Sequence, residues 1–230
     1  MNVHHRLKRG LFLTFEGGEG SGKSTQVRLL ADNLRADGLD VVVTREPGGS
    51  AAAEIIREVL LSGAAEKYGP ELEAILFSSA RRDHVETIIR PAVERGAIVL
   101  CDRFLDSTRA YQGAAGVLPP DFIAGVETIA IDGLMPDLTF LLDFPVEAGL
   151  KRAHARRDAS AMPDRFEKED LKIHESRRRA YLAIAVNEPD RFVLIPADRN
   201  PAPSLLKSHW LCAPMLRRRF CVKMQRFDDG

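Results

Sequence analysis

The segment from Gly17 to Thr25 contains the residues whose types and spacing point most directly to chemistry. Residues 17–24 fit the pattern G-x-x-x-x-G-K-[ST], and an apolar run, 11–15, precedes them. Glycines in such a loop let backbone N–H groups turn toward phosphate oxygens, and the N-terminus of the next helix adds positive partial charge. A lysine at position 23 reaches the β- and γ-phosphates of a nucleotide, and a hydroxyl at position 24 binds Mg²⁺.

A glycine-rich turn that matches this pattern by chance is the alternative. The surrounding sequence favours the phosphate site, because a strand-like run comes before the motif and residues with helical spacing, 26–34, come after it. The segment therefore predicts a nucleoside triphosphate site, which we call the P-loop (residues 17–24).

Polar residues also follow the second and third predicted strands. Residues 44–49, Thr-Arg-Glu-Pro-Gly-Gly, follow the second strand, and Asp102-Arg103 follows the apolar run 98–101. An aspartate in this place is typical of a carboxylate that holds Mg²⁺ directly or through water. A buried Asp–Arg ion pair is the alternative, but ligands of an open α/β sheet bind at the ends of its strands, which favours the metal.

The elements that must position these residues alternate along the chain. Strands are predicted at 11–16, 39–44, 97–101, 137–142 and 191–195. Helices are predicted at about 23–37, 51–62, 70–95, 119–131, 145–156 and 168–187. The strands are nearly all apolar at their centres, as expected of parallel strands covered on both faces. This pattern predicts an α/β fold with a doubly wound five-stranded parallel sheet flanked by helices.

Two segments differ from the rest of the chain. Residues 156–168 are charged and rich in small side chains, which indicates a mobile lid at about 152–168. The segment 199–230 contains several prolines and an arginine triplet and has little helical periodicity, so we describe it only as an atypical tail. No linker or internal repeat divides the chain, and a single domain, 1–230, is expected.

The composition narrows the choice of partners. Thirty-three basic and 33 acidic residues cancel, so no net charge indicates nucleic acid or a membrane surface as a partner. No apolar run approaches the roughly 20 residues that cross a bilayer. Three scattered cysteines do not form a disulfide framework, which indicates the reducing cytoplasm. The six histidines show no metal-binding spacing.

Five segments in the same order resemble the bacterial thymidylate kinases: 15–25, 44–49, 77–81, 102–104 and 107–113. The resemblance extends from about residue 10 to about residue 198. It implies transfer of the γ-phosphoryl group of ATP to dTMP with Mg²⁺, giving dTDP for dTTP synthesis. It also implies a homodimer, for which the apolar helices at 70–95 and 119–131 are candidate interfaces.

The resemblance implies roles for the donor side of the site. The implied ATP contacts are Gly17, Gly18, Glu19, Gly20, Ser21, Gly22, Lys23, Ser24 and Thr25. The implied metal ligands are Ser24 and Asp102. The implied catalytic residues are Lys23, Asp102, Arg103 and the lid arginines Arg156 and Arg165.

The resemblance also implies how dTMP is held. Phe77 would stack on the thymine ring. Stacking alone does not select thymine, because every base has a π-face. Arg81, Thr108 and Gln112 would hydrogen-bond the base. Tyr111 would pack under the deoxyribose and Glu19 would contact the region of its 3′-hydroxyl. Arg45 and Arg103 would bind the acceptor phosphate, a task suited to a planar bidentate donor. Glu16 and Glu46 are weaker candidates that would only support the loops.

These dTMP residues also have structural interpretations. Phe77 shares a predicted helix with Leu72, Ile75 and Leu76, so core packing is the alternative. The pair Arg81-Arg82 would equally suit a solvated helix face. Tyr111 taken alone is open between packing and binding.

In the family that this chain resembles, some members place an arginine in the P-loop and others place the catalytic arginine on the lid. The variable positions of this P-loop contain no basic residue, so the resemblance implies a catalytic arginine on the lid. The lid offers Arg152, Arg156, Arg157 and Arg165, and residues 164–167 resemble the lid motif of the family. The alternative is that these arginines only solvate a helix end. The insert 158–163 is longer than a minimal lid, and the tail after Asp198 does not resemble the closing helix of the family.

Three other functions share some of these sequence features. Another nucleoside monophosphate kinase, for dUMP, dGMP or dCMP, would differ only in the acceptor pocket. A nucleotide switch such as a small GTPase needs an N-K-x-D segment to read guanine, and the chain contains none. A non-catalytic scaffold is disfavoured because Lys23, Ser24, Asp102 and Arg103 are all present.

Overall fold

Five parallel strands form the central sheet: β1 (Leu11–Glu16), β2 (Val41–Arg45), β3 (Ile98–Asp102), β4 (Leu138–Asp143) and β5 (Phe192–Pro196). Their order across the sheet is β2-β3-β1-β4-β5. The structure, a computed structural model, describes residues 9–114, 118–155, 166 and 169–197. The predicted doubly wound five-stranded parallel sheet is confirmed, and each strand begins and ends within two residues of its predicted bounds.

Eight α-helices occur in the described residues. They are α1 (Lys23–Ala36), α2 (Ala51–Leu61), α3 (Pro70–His84), α4 (Arg90–Glu94), α5 (Leu105–Thr108), α6 (Pro120–Ile131), α7 (Val146–Ala155) and α8 (Leu171–Asn187). A 3₁₀ turn lies at Glu66–Tyr68, and π-helical turns lie at Val85–Ile89 and Arg109–Ala114. None of the described helices is long and apolar enough to cross a bilayer.

Two helical predictions need correction. The single helix expected at 70–95 is interrupted by the π-helical turn Val85–Ile89 between α3 and α4. The helical segment 105–114, which is α5 followed by the second π-helical turn, was not predicted at all. Polar residues dominate that segment, so it lacks the apolar period from which helices are recognised.

The sheet separates two hydrophobic cores. On one face, Leu13 and Phe15 of β1 pack with Leu30 of α1. On the other face, Phe12 packs with Val99 of β3 and Ile89 of the first π-helical turn. Successive side chains of a strand point to opposite faces, so β1 is buried on both sides and holds a fixed position.

The register of the sheet brings the ends of β1 and β3 together. Phe15 pairs with Asp102 on one side of β1 and with Phe140 of β4 on the other. The backbone N–H of Arg103 donates to the carbonyl of Phe15 at 2.9 Å. The P-loop after β1 and the Asp102-Arg103 pair after β3 therefore leave the sheet side by side.

The predicted tail, 199–230, lies outside the described residues. The predicted lid, 152–168, overlaps them only at 152–155 and at Phe166. The extent of the domain and the mobility of the lid accordingly stay predictions.

Candidate active site

The P-loop wraps around the side chain of Lys23. The Lys23 Nζ donates to the carbonyl oxygens of Gly17 at 3.0 Å and of Gly18 at 2.9 Å. Burial, followed by the neighbouring Arg103 cation, lowers the pKa of Lys23. An incoming anion would offset both effects, so this end of the cavity suits a polyphosphate.

The P-loop rests directly on the backbone of α7. A Cβ atom on Gly20 would lie 1.9 Å from the carbonyl oxygen of Gly149, and one on Gly149 would lie 2.3 Å from the carbonyl oxygen of Glu19. The two backbones can come this close only because both positions are glycine. The helix that leads into the predicted lid thus supports the phosphate-binding loop through a backbone contact.

The Ser24 hydroxyl and the Asp102 carboxylate are adjacent. Ser24 Oγ donates to Asp102 Oδ2 at 2.6 Å. Both are oxygen ligands of the kind that Mg²⁺ prefers. Among the described residues, no group of three or more histidine, cysteine, aspartate or glutamate side chains forms a metal-binding cluster. Ser24 and Asp102 are accordingly the residues that would hold a magnesium ion here.

Arg103 connects the end of β3 to the P-loop. Its φ of 70° places a non-glycine residue in the left-handed region, which costs free energy. Its guanidinium donates to Glu19 Oε1 at 2.5 Å, and Glu19 also accepts a hydrogen bond from the Tyr111 hydroxyl at 3.0 Å. Arg103 thus pairs with Glu19 of the P-loop, and the alternative of an Asp102–Arg103 ion pair is not observed.

Glu19 is held in its ionised form by its neighbours. Burial alone would raise its pKa, but the cations of Arg103 and Lys23 and the Tyr111 hydroxyl outweigh burial and lower the pKa to about 2. A permanent carboxylate therefore lies between the P-loop and the opposite wall of the cavity.

Glu16 lies behind Arg103 and does not line the cavity. Its carboxylate accepts hydrogen bonds from the Phe104 N–H at 2.8 Å, the Ser107 hydroxyl at 2.7 Å and the Tyr181 hydroxyl at 2.9 Å. Burial, with the nearby Asp106 charge, raises the pKa of Glu16 to about 7. These contacts fix the segment that carries Arg103, as expected of a residue that supports loop geometry.

A cavity of about 250 Å³ lies between the P-loop, the loop after β2 and helices α3 and α5. Every residue predicted to bind dTMP lines this cavity: Glu19, Arg45, Phe77, Arg81, Arg103, Thr108, Tyr111 and Gln112. Of the predicted ATP contacts, the lining includes Glu19, Gly20, Gly22, Lys23 and Ser24, whereas Gly17, Gly18, Ser21 and Thr25 lie outside it. Asp102 also lines the cavity, so the predicted donor and acceptor sites share one space.

Arg81 lines the end of the cavity away from the P-loop. The Arg81 side chain is 1% exposed. It donates from Nε to Glu46 at 2.7 Å, from Nη2 to the Phe104 carbonyl at 3.1 Å, and from both terminal nitrogens to Thr108 Oγ1 at 3.2 Å. The Arg82 side chain is 41% exposed and pairs with Asp132. The solvated-face interpretation therefore holds for Arg82 and is wrong for Arg81.

Aromatic rings form the walls. Phe77 is half-buried and lines the cavity instead of the core. Its ring centroid lies 6.1 Å from that of Phe166, which in turn lies 5.7 Å from that of Tyr111. The second π-helical turn carries both Tyr111 and Gln112 into the lining. Such turns are frequent at functional sites.

Arg45 is already engaged by a carboxylate. It lines the cavity, and its Nη2 donates to both oxygens of Glu54 at 2.9 and 3.0 Å. Roughly half of its side chain is exposed, so further hydrogen-bond donors can reach a phosphate.

Several lining or supporting residues were missed at the level of sequence. Phe166 and Arg57 line the cavity, and Arg57 also donates to the Pro47 carbonyl at 2.6 Å. The guanidinium of Arg177, a buried residue that pairs with Glu169, lies 4.0 Å from the centre of the Tyr111 ring. The i, i+4 spacing of Arg177 and Tyr181 would have placed both on one face of α8.

The structure describes one of the four lid arginines. Arg156, Arg157 and Arg165 lie outside the described residues. Arg152 is described, and its guanidinium lies 4.1 Å from the centre of the Phe144 ring.

Comparison with known proteins agrees with this geometry. The family model described as thymidylate kinase matches residues 15–204. The thymidylate kinase of Caulobacter vibrioides is 56% identical over 192 residues, which are 84% of this chain and 90% of that relative. The thymidylate kinase of a Bradyrhizobium strain is 55% identical over 195 residues, 85% of this chain and 86% of that relative. The crystal structure of thymidylate kinase from Ehrlichia chaffeensis is 33% identical, has a TM-score of 0.66, and covers 81% of this chain and 93% of its own. This protein is therefore a member of the thymidylate kinase family.

Proposed function

We propose that this protein phosphorylates dTMP to dTDP, with ATP as the phosphoryl donor and Mg²⁺ as the accessory ion. One observation carries the proposal beyond family membership: a single cavity joins Lys23 and Ser24 of the P-loop to the base-binding candidates Arg81 and Gln112. A kinase for a nucleotide acceptor needs both sites within reach of one another.

On the donor side, the P-loop binds the β- and γ-phosphates of ATP. Lys23 gives two of its hydrogens to loop carbonyls and keeps a third for a phosphate oxygen. Ser24 and Asp102 would hold Mg²⁺. When bound, the ion neutralises part of the charge on the phosphates.

On the acceptor side, the guanidinium of Arg81 faces the thymine. Its five N–H groups make four contacts with protein atoms, and one hydrogen of Nη1 has no acceptor among the described residues. That hydrogen is available for a carbonyl oxygen of the base. Thr108 accepts from Arg81 and so keeps its own proton to donate. Phe77 stacks on the ring, and Tyr111 packs under the sugar, where a 2′-hydroxyl would be crowded.

The chemical step depends on charge and alignment. The acceptor is itself a phosphate, largely ionised at neutral pH, so no strong general base is required. The main barrier is the repulsion between two polyanions, which positive side chains on both sides offset. Lys23 acts on the donor, and Arg103 acts on the acceptor phosphate, with Arg45 beside it. We also propose that a lid arginine, Arg156 or Arg165, adds charge in the transition state.

We further propose that the protein is a homodimer. Helix α3 packs against both α2 and α6. These three helices expose large apolar side chains, among them Ile55 (67% exposed), Ile75 (45%) and Ile129 (70%). Burial of such side chains against a second copy would stabilise the assembly.

An ADP-release assay with ATP and Mg²⁺ tests the function, with dTMP, dUMP, dCMP, dGMP and AMP presented separately. We expect strong turnover of dTMP, weak turnover of dUMP and none of the others. Preference for a different monophosphate would reject the roles of Phe77, Arg81, Thr108 and Gln112 but keep the P-loop chemistry. A lack of turnover with all five would reject the kinase function.

A further inference from the structure

A series of polar side chains connects strand β2 to Arg81 through His84. His84, the last residue of α3, is completely buried and does not line the cavity. Its Nδ1 lies 3.0 Å from Glu46 Oε1, and its Nε2 lies 2.6 Å from Thr44 Oγ1. The other oxygen of Glu46, Oε2, accepts the hydrogen bond from Arg81 Nε at 2.7 Å. We call Thr44, His84 and Glu46 the relay.

The direction of each hydrogen bond in the relay follows from its ends. Arg81 can only donate, and a carboxylate can only accept. His84 must therefore donate from Nδ1 to Glu46. In the neutral ring this leaves a lone pair on Nε2, to which the Thr44 hydroxyl donates. Every polar atom of the relay then has a partner, in one tautomer of the histidine.

The turn that follows Glu46 packs against the hydrogen bond between Thr44 and His84. A Cβ atom on Gly49 would lie 2.4 Å from Thr44 Oγ1 and 2.5 Å from His84 Nε2, so the turn passes directly over their hydrogen bond. Between buried groups a hydrogen bond is stronger, and an unpaired polar atom is more costly, than in water. Glu46 lines the cavity, but its side chain is only 4% exposed, so solvent is a poor replacement for a lost partner.

We propose that His84 is a positioning residue for the acceptor: it fixes Glu46, and Glu46 fixes the plane of the Arg81 guanidinium toward the base of dTMP. This inference rests on the proposed function. The donor groups of Arg81 form a rigid planar fork, so a rotation of the plane misdirects the hydrogen of Nη1. Without His84, Glu46 Oε1 is buried with no donor, and the carboxylate turns to regain one, taking Arg81 with it.

The chain offers a matched control beside the relay. The Ser50 hydroxyl donates to Asp83 Oδ2 at 2.6 Å. This hydrogen bond joins the same turn to the same helix, one residue further along from Gly49 and one residue before His84. Neither Ser50 nor Asp83 forms a hydrogen bond with Glu46 or Arg81 among the described residues. Ser50→Ala therefore removes a comparable tether and leaves the relay intact.

The test compares His84→Leu, His84→Asn and Ser50→Ala with the wild type. The Kd of dTMP is measured by titration calorimetry, and kcat, both KM values and Tm are measured for each protein. For His84→Leu we expect the Kd and KM of dTMP to rise at least tenfold, with the KM of ATP and the kcat at saturating dTMP within threefold of wild type. His84→Asn should return the Kd of dTMP to within threefold, because the amide nitrogen replaces Nδ1 as the donor. Ser50→Ala should leave that Kd within twofold.

Two results would overturn the inference. The first is a dTMP Kd within twofold of wild type in a folded His84→Leu protein. The second is an equal rise of the KM values for dTMP and ATP, because partial unfolding would weaken the apparent binding of both substrates alike. If His84→Leu does not fold, ¹⁵N spectra of histidine-labelled wild type decide: Nδ1 of His84 must carry a hydrogen, and a tautomer protonated only at Nε2 contradicts the relay. Wild-type turnover of dTMP is measured first, because its absence rejects the proposed function itself.

Discussion

At the scale of single residues, the site depends on carboxylates in contrasting surroundings. Glu19 faces two cations, and its pKa falls to about 2. Glu16 is buried beside another acid, and its pKa rises to about 7 although it accepts three hydrogen bonds. The first is ionised at any physiological pH. The second makes the stability of the protein depend on pH close to neutrality.

Replacement of Glu16 by glutamine tests this difference. The folded state holds the Glu16 proton up to a pH of about 7, whereas the unfolded state releases it near 4.5. Wild-type stability should therefore fall as pH rises through this interval, by about 3 kcal/mol at most. Glutamine resembles the neutral acid, and Ser107 and Tyr181 can reverse their hydroxyls to accept from its amide.

Urea unfolding of both proteins at intervals from pH 4.5 to 8 provides the measurement. The free energy of unfolding of wild type relative to Glu16→Gln should decline across the range, and all other titrating groups cancel in the comparison. A constant difference would show that Glu16 is ionised in the fold throughout.

The predicted lid arginines give a second prediction at this scale. Arg156→Ala and Arg165→Ala are each expected to lower kcat more than tenfold with little change in the Kd of dTMP, because an arginine that acts in the transition state is worth about 10³ or more in rate. Single-turnover kinetics measures the effect. Arg179→Ala, an exposed arginine of α8, is the control and should behave as wild type. Near-normal kcat in both lid variants removes the assignment.

At the scale of elements, the contact between the P-loop and α7 changes the effect expected of an alanine substitution at Gly149. Glycine inside a helix is normally about 1 kcal/mol less favourable than alanine, so Gly149→Ala should stabilise α7. The added methyl group would instead lie 2.3 Å from the Glu19 carbonyl oxygen, and a backbone atom cannot move aside as a side chain does.

Gly149→Ala is therefore expected to lower Tm and to raise the KM of ATP several-fold more than that of dTMP. Gly125 in α6 supplies the control, because a Cβ atom there would meet nothing within 4 Å. Gly125→Ala should keep both KM values and keep or raise Tm. Equal behaviour of the two variants in calorimetry and kinetics would mean that α7 moves away without consequence for the loop.

At the scale of the whole molecule, the strands and the site differ in how far the sequence predicts them. Central parallel strands are buried on both faces, so a run such as Ile98–Cys101 is apolar throughout and its position is evident. The segment 105–114 carries its polar residues toward the cavity or into ion pairs, which removes the helical period. In the relay, His84 lies 38 positions from Glu46 and 40 positions from Thr44 in the sequence. Local sequence patterns do not predict contacts between residues so far apart.

The proposed dimer gives the prediction at this scale. Sedimentation equilibrium should yield twice the chain mass of 25.5 kDa. Ile55→Asp combined with Ile129→Asp places charge on the exposed apolar helices and should shift the protein toward monomer. Val186→Asp, at a 77% exposed position on α8, should leave the mass unchanged. A monomeric wild type at micromolar concentration would contradict the proposal.

Glu19 is part of the P-loop and also contacts the opposite wall of the cavity. It stands at a variable position of the phosphate-binding loop, yet Arg103 and Tyr111 on the opposite wall both donate to the same oxygen of its carboxylate. The loop is consequently not an interchangeable module. A graft of residues 17–24 from another nucleotide-binding protein would preserve every position of the G-x-x-x-x-G-K-[ST] pattern. It would still leave Arg103 and Tyr111 without their shared acceptor, so the residue at position 19 is constrained by contacts that the pattern does not describe.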